Sequence, residues 1–260
     1  MTTIESRFGL ADAFEVRSGD VVSLVGAGGK TTTLYGLVTE LRRMGLSVIA
    51  TTTTHTQTPN SPTTAPPMVF ASEEDNWLQS VRTRLDRYGA VTVVGSRNRQ
   101  DKLKGLEPED IDPLRGMADC VVVEADGARG RSLKAPAPHE PAVPECTTST
   151  IIIAGIDVLG RRLDDDSVHR LEIVQELSGA PKGGRIVEEV IALALVRGYF
   201  PAVPKTSRKI VFLNKVDDAR LKQAERVGEL LLSAGAPWVT FGEAIHPNGC
   251  FYNMKPHPAP

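Results

Sequence analysis

Between Val21 and Leu41 the chain reads VVSLVGAGGKTTTLYGLVTEL: an apolar, β-branched run, then three glycines, a lysine and three threonines, then apolar residues at helical spacing. Glycine is the residue type that lets a strand turn at once into a helix. A turn of this kind leaves backbone N–H groups able to close around an anion, and the helix N-terminus adds positive dipole charge. The stretch therefore predicts a strand, a phosphate-binding turn and a helix in immediate succession.

The rest of the chain continues the theme. Short apolar runs alternate with helix-length segments, the pattern of a parallel sheet covered on both faces. Strands are expected at Val21–Val25, Ser47–Thr53, Met68–Ala71, Ala90–Gly95, Cys120–Ala125, Thr150–Ala154, Lys209–Leu213 and Trp238–Phe241. Helices are expected at Lys30–Met44, Glu73–Tyr88, Glu107–Gly116, Ser167–Leu177, Ile186–Arg197 and Ala219–Ala234. The expected class is α/β, a three-layer P-loop NTPase-like fold with a mostly parallel sheet. All 260 residues are read as a single nucleotide-binding domain, with loop insertions near 56–67 and 97–110 and a disordered C-terminal tail from about 254. The proline-dense stretch Lys134–Glu145 reads as a further loop.

Bulk properties exclude several classes. The net charge of −2 gives no electrostatic case for nucleic acid, and no apolar run approaches the length of a membrane span. The N-terminus shows no secretory pattern, so a cytoplasmic location is expected. Cys120, Cys146 and Cys250 are odd in number and widely spaced, which argues against a disulfide framework. His246 and Cys250 are four apart, but Pro247 and Gly249 between them disfavour a metal-binding helical face.

In an open α/β sheet, ligands sit beyond the carboxyl ends of the strands, where Gly26–Gly29 falls. Gly26, Ala27, Gly28, Gly29, Lys30, Thr31 and Thr32 are the expected contacts of a nucleoside triphosphate. Lys30 would reach the terminal phosphates with a head group solvated when no ligand is present, and Thr31 would offer its hydroxyl to Mg²⁺. The residue six before Lys30 is Leu24, so the match is G-x-x-G-K-T-T and not the longer G-x-x-x-x-G-K-S/T. The shorter form resembles the loop of the Mur ligases, and the general arrangement resembles the metallochaperone and cofactor-maturation NTPases.

CVVVEADGARGRSLKAP places Glu124 and Asp126 at the end of an apolar strand. Residues i and i+2 of a strand share a face, so both carboxylates are expected at one site. One carboxylate would hold the Mg²⁺ water shell and the other orient an attacking water or substrate, with Asp126 assigned nearest the metal. Arg129, with Arg131 and Lys134, would neutralise charge on a transferred phosphoryl group or hold an anionic substrate. The candidate catalytic set is Lys30, Glu124, Asp126 and Arg129. VIATTTTH ends another strand with Thr51–Thr54 and His55; Thr53 joins Thr31 and Asp126 as a candidate metal-side ligand, with Thr52, Thr54 and His55 as alternatives.

KIVFLNKVDDAR is a strand followed by Asn214-Lys215-Val216-Asp217, the N-K-x-D arrangement of G-domain proteins. There the Asp carboxylate accepts two hydrogen bonds from guanine, a pair that adenine cannot supply, while Asn steadies the neighbouring loops and the Lys stem packs on the base. GTP is favoured over ATP on this ground, with the resemblance to ATP-using ligases standing against it.

Taken together, VGAGGKTTT, TTTTH, EADGARGRSLKAP with HEP, GIDVLG, VHR and NKVD resemble the selenium-dependent hydroxylase accessory protein family of the YqeC type over most of the chain. That resemblance implies a nucleotide-binding accessory factor in the maturation of selenium-dependent molybdenum hydroxylases, with a hydroxylase apoenzyme or its cofactor as partner. His139, Glu140, His169 and Arg170 lie in matching segments and are candidates for a second, substrate or partner site. Two other readings stay open: a small-molecule kinase or Mur-like ATP-dependent ligase, and a module that holds nucleotide without turnover.

Overall fold

The computed structural model describes residues 2–57, 66–98, 102–246 and 249–256. Its centre is a ten-stranded sheet. In chain order the strands are β1 (Thr2–Phe8), β2 (Val21–Gly26), β3 (Val48–Thr52), β4 (Met68–Phe70), β5 (Ala90–Val94), β6 (Cys120–Glu124), β7 (Ser149–Gly155), β8 (Arg208–Asn214), β9 (Val239–Phe241) and β10 (Cys250–Pro256). They lie in the order β1-β10-β9-β8-β7-β2-β6-β3-β5-β4, parallel except for the antiparallel β9–β10 and β10–β1 ladders. The helices are α1 (Leu10–Ala13), α2 (Lys30–Arg43), α3 (Trp77–Tyr88), α4 (Leu171–Ser178), α5 (Glu188–Tyr199) and α6 (Leu221–Ser233). No helix among the described residues is long and apolar enough to cross a membrane.

The alternation of strand side chains produces the layers. Val22 and Leu24 of β2, with Ile151, Ile153 and Phe212, face Leu34, Leu37, Val38 and Leu41 of α2. Val21 and Val25, with Val123, Ile152 and Leu213, face Ile191 and Leu195 of α5 and Val227 and Leu231 of α6. Two separate apolar cores on the two faces of one sheet make the three-layer P-loop NTPase-like architecture, and explain why the central strands read as continuous apolar runs. From β2 the chain builds β3 to β6 on one side and β7 to β9 on the other, so β2 stands at a topological switch point.

Several expectations need correction. Residues 254–256 are not a free tail: they end β10, which pairs along its length with β1. Met254 is buried against Gly228 of α6, where an added Cβ would lie 2.6 Å from its sulfur, and the Asn253 amide donates to the Ala13 carbonyl at 2.9 Å. Residues 257–260 lie outside the described residues. The 56–67 and 97–110 insertions carry a small antiparallel sheet of Thr56–Gln57, Lys102–Lys104 and Ser96–Asn98, with 58–65 and 99–101 outside the described residues. The expected helix at 107–116 is a 3-10 segment, Pro108–Leu114, with Pro113 inside it. The expected helix from Ser167 starts at Leu171, after Val168–His169 pairs with Leu133–Lys134.

Candidate functional site

Because β2, β3, β6, β7, β8 and β9 run parallel, their carboxyl ends open on one edge, and the segments singled out above follow those ends. Gly26, Gly28 and Gly29 have φ of 95°, 81° and 127°, where a side chain is strained. The loop is also pressed onto β7: a Cβ at Gly26 would lie 2.2 Å from the Ile153 carbonyl oxygen, and one at Gly28 2.3 Å from the Gly155 nitrogen. The Gly26 N–H donates to Asp126 Oδ2 at 3.1 Å, Ala27 to Ile153 at 2.8 Å and Gly28 to Arg131 at 2.9 Å. These three residues therefore shape the turn, with their donors used inside the protein. The N–H groups of Gly29, Lys30, Thr31 and Thr32 have no acceptor among the described residues; they form the N-cap and first turn of α2. That corner, open to solvent at Thr31 and Thr32, is where an anion finds both free donors and the helix dipole.

The Thr31 hydroxyl donates to Glu124 Oε2 at 2.9 Å, and both residues line the cleft above the loop. Burial raises the Glu124 pKa, the Lys30 charge and the Thr31 hydrogen bond pull it back, and Asp126 adds to the rise. A hydroxyl and a carboxylate oxygen side by side fit Mg²⁺, which takes one or two protein oxygens and fills its octahedron with water and phosphate oxygens. Asp126 does not fit the metal-side or catalytic role expected of it. Its side chain is fully buried and off the cleft, accepts hydrogen bonds from Gly26 N–H and from the Tyr199 hydroxyl at 2.9 Å, and pairs with Lys30 at 3.2 Å and Lys134 at 3.1 Å. Strand geometry ends at Glu124, so the i, i+2 rule that placed both carboxylates on one face stops applying two residues short of Asp126. Lys30 is likewise buried, at 4% exposure, with its ammonium 2.7 Å from the Gly26 carbonyl; the expected solvated head is not found.

The charges continue inward. Lys134, fully buried, sits 2.9 Å from Glu140 Oε2 and donates to the Gly127 carbonyl at 2.6 Å. Arg170 grips Glu140 with Nε at 3.1 Å and Nη2 at 2.8 Å. Lys30, Asp126, Lys134, Glu140 and Arg170 thus form one chain of alternating sign from the phosphate loop to the start of α4. Burial by itself would raise the Glu140 carboxyl, but the Arg170 and Lys134 hydrogen bonds and the Lys134 charge outweigh it and hold the pKa at about 2, against the usual 4.5. A depressed carboxylate pKa contributes stability above its unfolded value that is lost as pH falls through the folded one. Acid unfolding followed by circular dichroism should therefore steepen between pH 4.5 and 2, and Glu140→Gln should flatten that slope while lowering stability at neutral pH.

Asn214 straps the site together: its Nδ2 donates to the Gly28 carbonyl at 2.8 Å and its Oδ1 accepts from Ala244 N–H at 2.8 Å. Lys215, at φ 64°, reaches Ser132 Oγ at 2.8 Å and Asp157 Oδ2 at 3.1 Å and lines the cleft. Asp217 is half-exposed, pairs with the Arg220 guanidinium and caps its N–H at 3.0 Å. Thr53 does not fit the metal-side role, since its hydroxyl donates to the Ala142 carbonyl at 2.6 Å and it does not line the cleft. The Thr52 hydroxyl donates to the Glu124 carbonyl at 2.9 Å, bracing β3 against β6. Thr54, His55, Arg129, Arg131, His169 and Arg170 are on the cleft wall; His139 is exposed and not part of it. Tyr199, Ser132 and Asp157 were not singled out from the sequence, and Tyr199, on an apolar helix, carries no signal there that separates it from a core residue.

Among solved structures, the chain is similar to the signal recognition particle receptor FtsY from Elizabethkingia anophelis, at 13% identity and a TM-score of 0.42, covering 90% of this chain and 62% of that one. It is also similar to the signal recognition particle 54 kDa protein from Aeropyrum pernix K1 in complex with GDP, at 17% identity and a TM-score of 0.38, covering 92% of this chain and 43% of that one. The chain therefore spans less than two thirds of either structure. The family model described as YqeC protein matches residues 22–172, which include the phosphate loop, Glu124, Asp126, Lys134, Glu140 and Arg170. The protein from Escherichia coli (strain K12) described as "Uncharacterized protein YqeC" is 34% identical over 199 residues, 75% of each chain. On the family match and this identity, the chain belongs to the YqeC family.

Proposed function

We propose that the chain binds a nucleoside triphosphate with Mg²⁺, favours GTP over ATP, and hydrolyses it as an accessory factor in the maturation of selenium-dependent molybdenum hydroxylases. The observation that carries the nucleotide reading is the Thr31–Glu124 pair, 2.9 Å apart, beside the N-cap and first-turn amides of Gly29–Thr32, which have no acceptor among the described residues. Bound there, Mg²⁺ would supply a Lewis acid at the terminal phosphates. The amides of Gly29–Thr32 would hold the phosphate oxygens, and Lys30 would add its charge from beneath. The preference for guanine is supported by Asn214-Lys215-Val216-Asp217 directly after β8, with Lys215 lining the cleft and Asp217 half-exposed beyond its wall. The hydroxylase role is supported by the sequence resemblance.

Glu124→Gln tests the reading. It preserves size and a hydrogen-bonding oxygen for Thr31 but removes the metal-side charge. Single-turnover hydrolysis should fall about a hundredfold or more, the loss of roughly 3 kcal/mol of transition-state stabilisation, while metal-free nucleotide affinity changes little. Assays should run with and without a hydroxylase apoenzyme, and the variant should fail to restore hydroxylase activity to cells lacking the protein. Full restoration by a variant without hydrolysis would reject turnover as the function.

A further inference from the structure

The cleft above the phosphate loop continues past the first turn of α2 onto a wall that carries several cationic side chains. At about 1030 Å³ it stands at the top of the ~300–1,000 Å³ span of small-molecule pockets, and it runs on from Gly29–Thr32 to His169 and Arg170. Its far wall combines two stretches of chain, the loop after β6 and the residues leading into α4. Arg129, at φ 48°, is exposed on this wall and has no carboxylate within ion-pair distance among the described residues. Arg131 has one acidic neighbour among them, Asp166 at 3.4 Å, whose side chain is 94% exposed and so offsets little charge.

Arg170 is different in kind, because it is built in. Its Nε and one Nη2 hydrogen are fixed on Glu140, which is fixed in turn by the buried Lys134. A guanidinium has five N–H donors, so three remain, without an acceptor among the described residues. His169 lies beside it, held by the pairing of its strand with Leu133–Lys134. Burial, then the charges of Lys134, Arg170 and Arg129, lower the His169 pKa against the opposing pull of Glu140, which favours the neutral ring. Rigid guanidinium forks suit planar or tetrahedral oxyanions.

We infer that Arg129, Arg131, His169 and Arg170 form a second binding site in this cleft, beside the nucleotide, for a small molecule carrying a phosphate or carboxylate group. The inference rests on the nucleotide reading for its neighbour but not for its own residues.

The test is calorimetric titration of inorganic phosphate, and separately of malonate, into protein saturated with Mg²⁺ and a non-hydrolysable triphosphate. One of the two anions should bind, and the one that binds more tightly gives the class of the ligand. Arg129→Ala combined with Arg131→Ala, one exposed and one half-buried side chain, leaves the Arg131 carbonyl that holds Gly28 in place and should weaken that anion about tenfold more than it weakens nucleotide. Arg170→Lys, which keeps charge but loses the fork, should weaken it in the same direction. Unaltered anion binding by the double variant, or no binding of either anion to wild type, would overturn the site. If the protein proves to bind no nucleotide, the same titration on free protein separates the two claims. Anion binding lost in the double variant and kept in Lys30→Met supports the second site, and the reverse result rejects it.

Discussion

Lys30→Met should lower triphosphate affinity ten- to more than a hundredfold. With its ammonium held by the Gly26 carbonyl and Asp126, one donor is left for the phosphates, and a charge-assisted hydrogen bond contributes roughly 1.5–3 kcal/mol. Methionine keeps the length of the stem and much of its packing, which matters because Lys30 is buried and not solvated. Its ammonium pairs with Asp126 and the Gly26 carbonyl, so the variant also removes one of two cations beside that carboxylate. Lys134 remains at 3.1 Å to balance it, and the fold should survive with a modest loss of stability. Calorimetric titration gives the affinity and a circular dichroism melt the stability. A folded variant that binds triphosphate as wild type does would end the phosphate-loop reading.

Asp126→Asn should have the largest effect on stability. The carboxylate is fully buried between two ammonium groups, the Tyr199 hydroxyl and the Gly26 amide. Neutralising it leaves two buried cations short of their counter-charge, and breaking a buried pair in this way costs ~3–5 kcal/mol. At ~2–4 °C per kcal/mol for a chain near this size, the melting temperature should fall on the order of 10 °C. Glu124→Gln, whose carboxylate faces the cleft, should move it far less. An Asp126→Asn protein with wild-type melting and lost turnover would restore Asp126 to the metal-side role that the sequence suggests.

The contrast between these two carboxylates shows what could be learned before the structure. The parallel core was legible because strands buried on both faces must be apolar throughout, as Val21–Gly26 and Cys120–Glu124 are. The phosphate loop was legible because only glycine tolerates the φ values of Gly26, Gly28 and Gly29. The acidic strand end was found, but not which acid faces the cleft, because that depends on where β6 stops and on Lys30 and Lys134 arriving from beneath. Lys134 reads as a solvated loop cation until its partners are known, since burial of a charge depends on contacts far apart in sequence. The strands β1 and β10 escaped for another reason: their pairing gains backbone hydrogen bonds at the sheet edge, where polar residues such as Glu5 and Arg7 are tolerated.

The central claim is that a triphosphate and Mg²⁺ meet at Gly29–Thr32 and Glu124. Calorimetric titration of GTP and of ATP into the wild-type protein, each with and without Mg²⁺, tests it most directly. The account predicts one site, tighter binding of GTP than of ATP, and an affinity that Mg²⁺ strengthens through Thr31 and Glu124, so that the metal's effect disappears in Glu124→Gln. No binding of either nucleotide, or binding that neither Mg²⁺ nor Glu124→Gln alters, would contradict it.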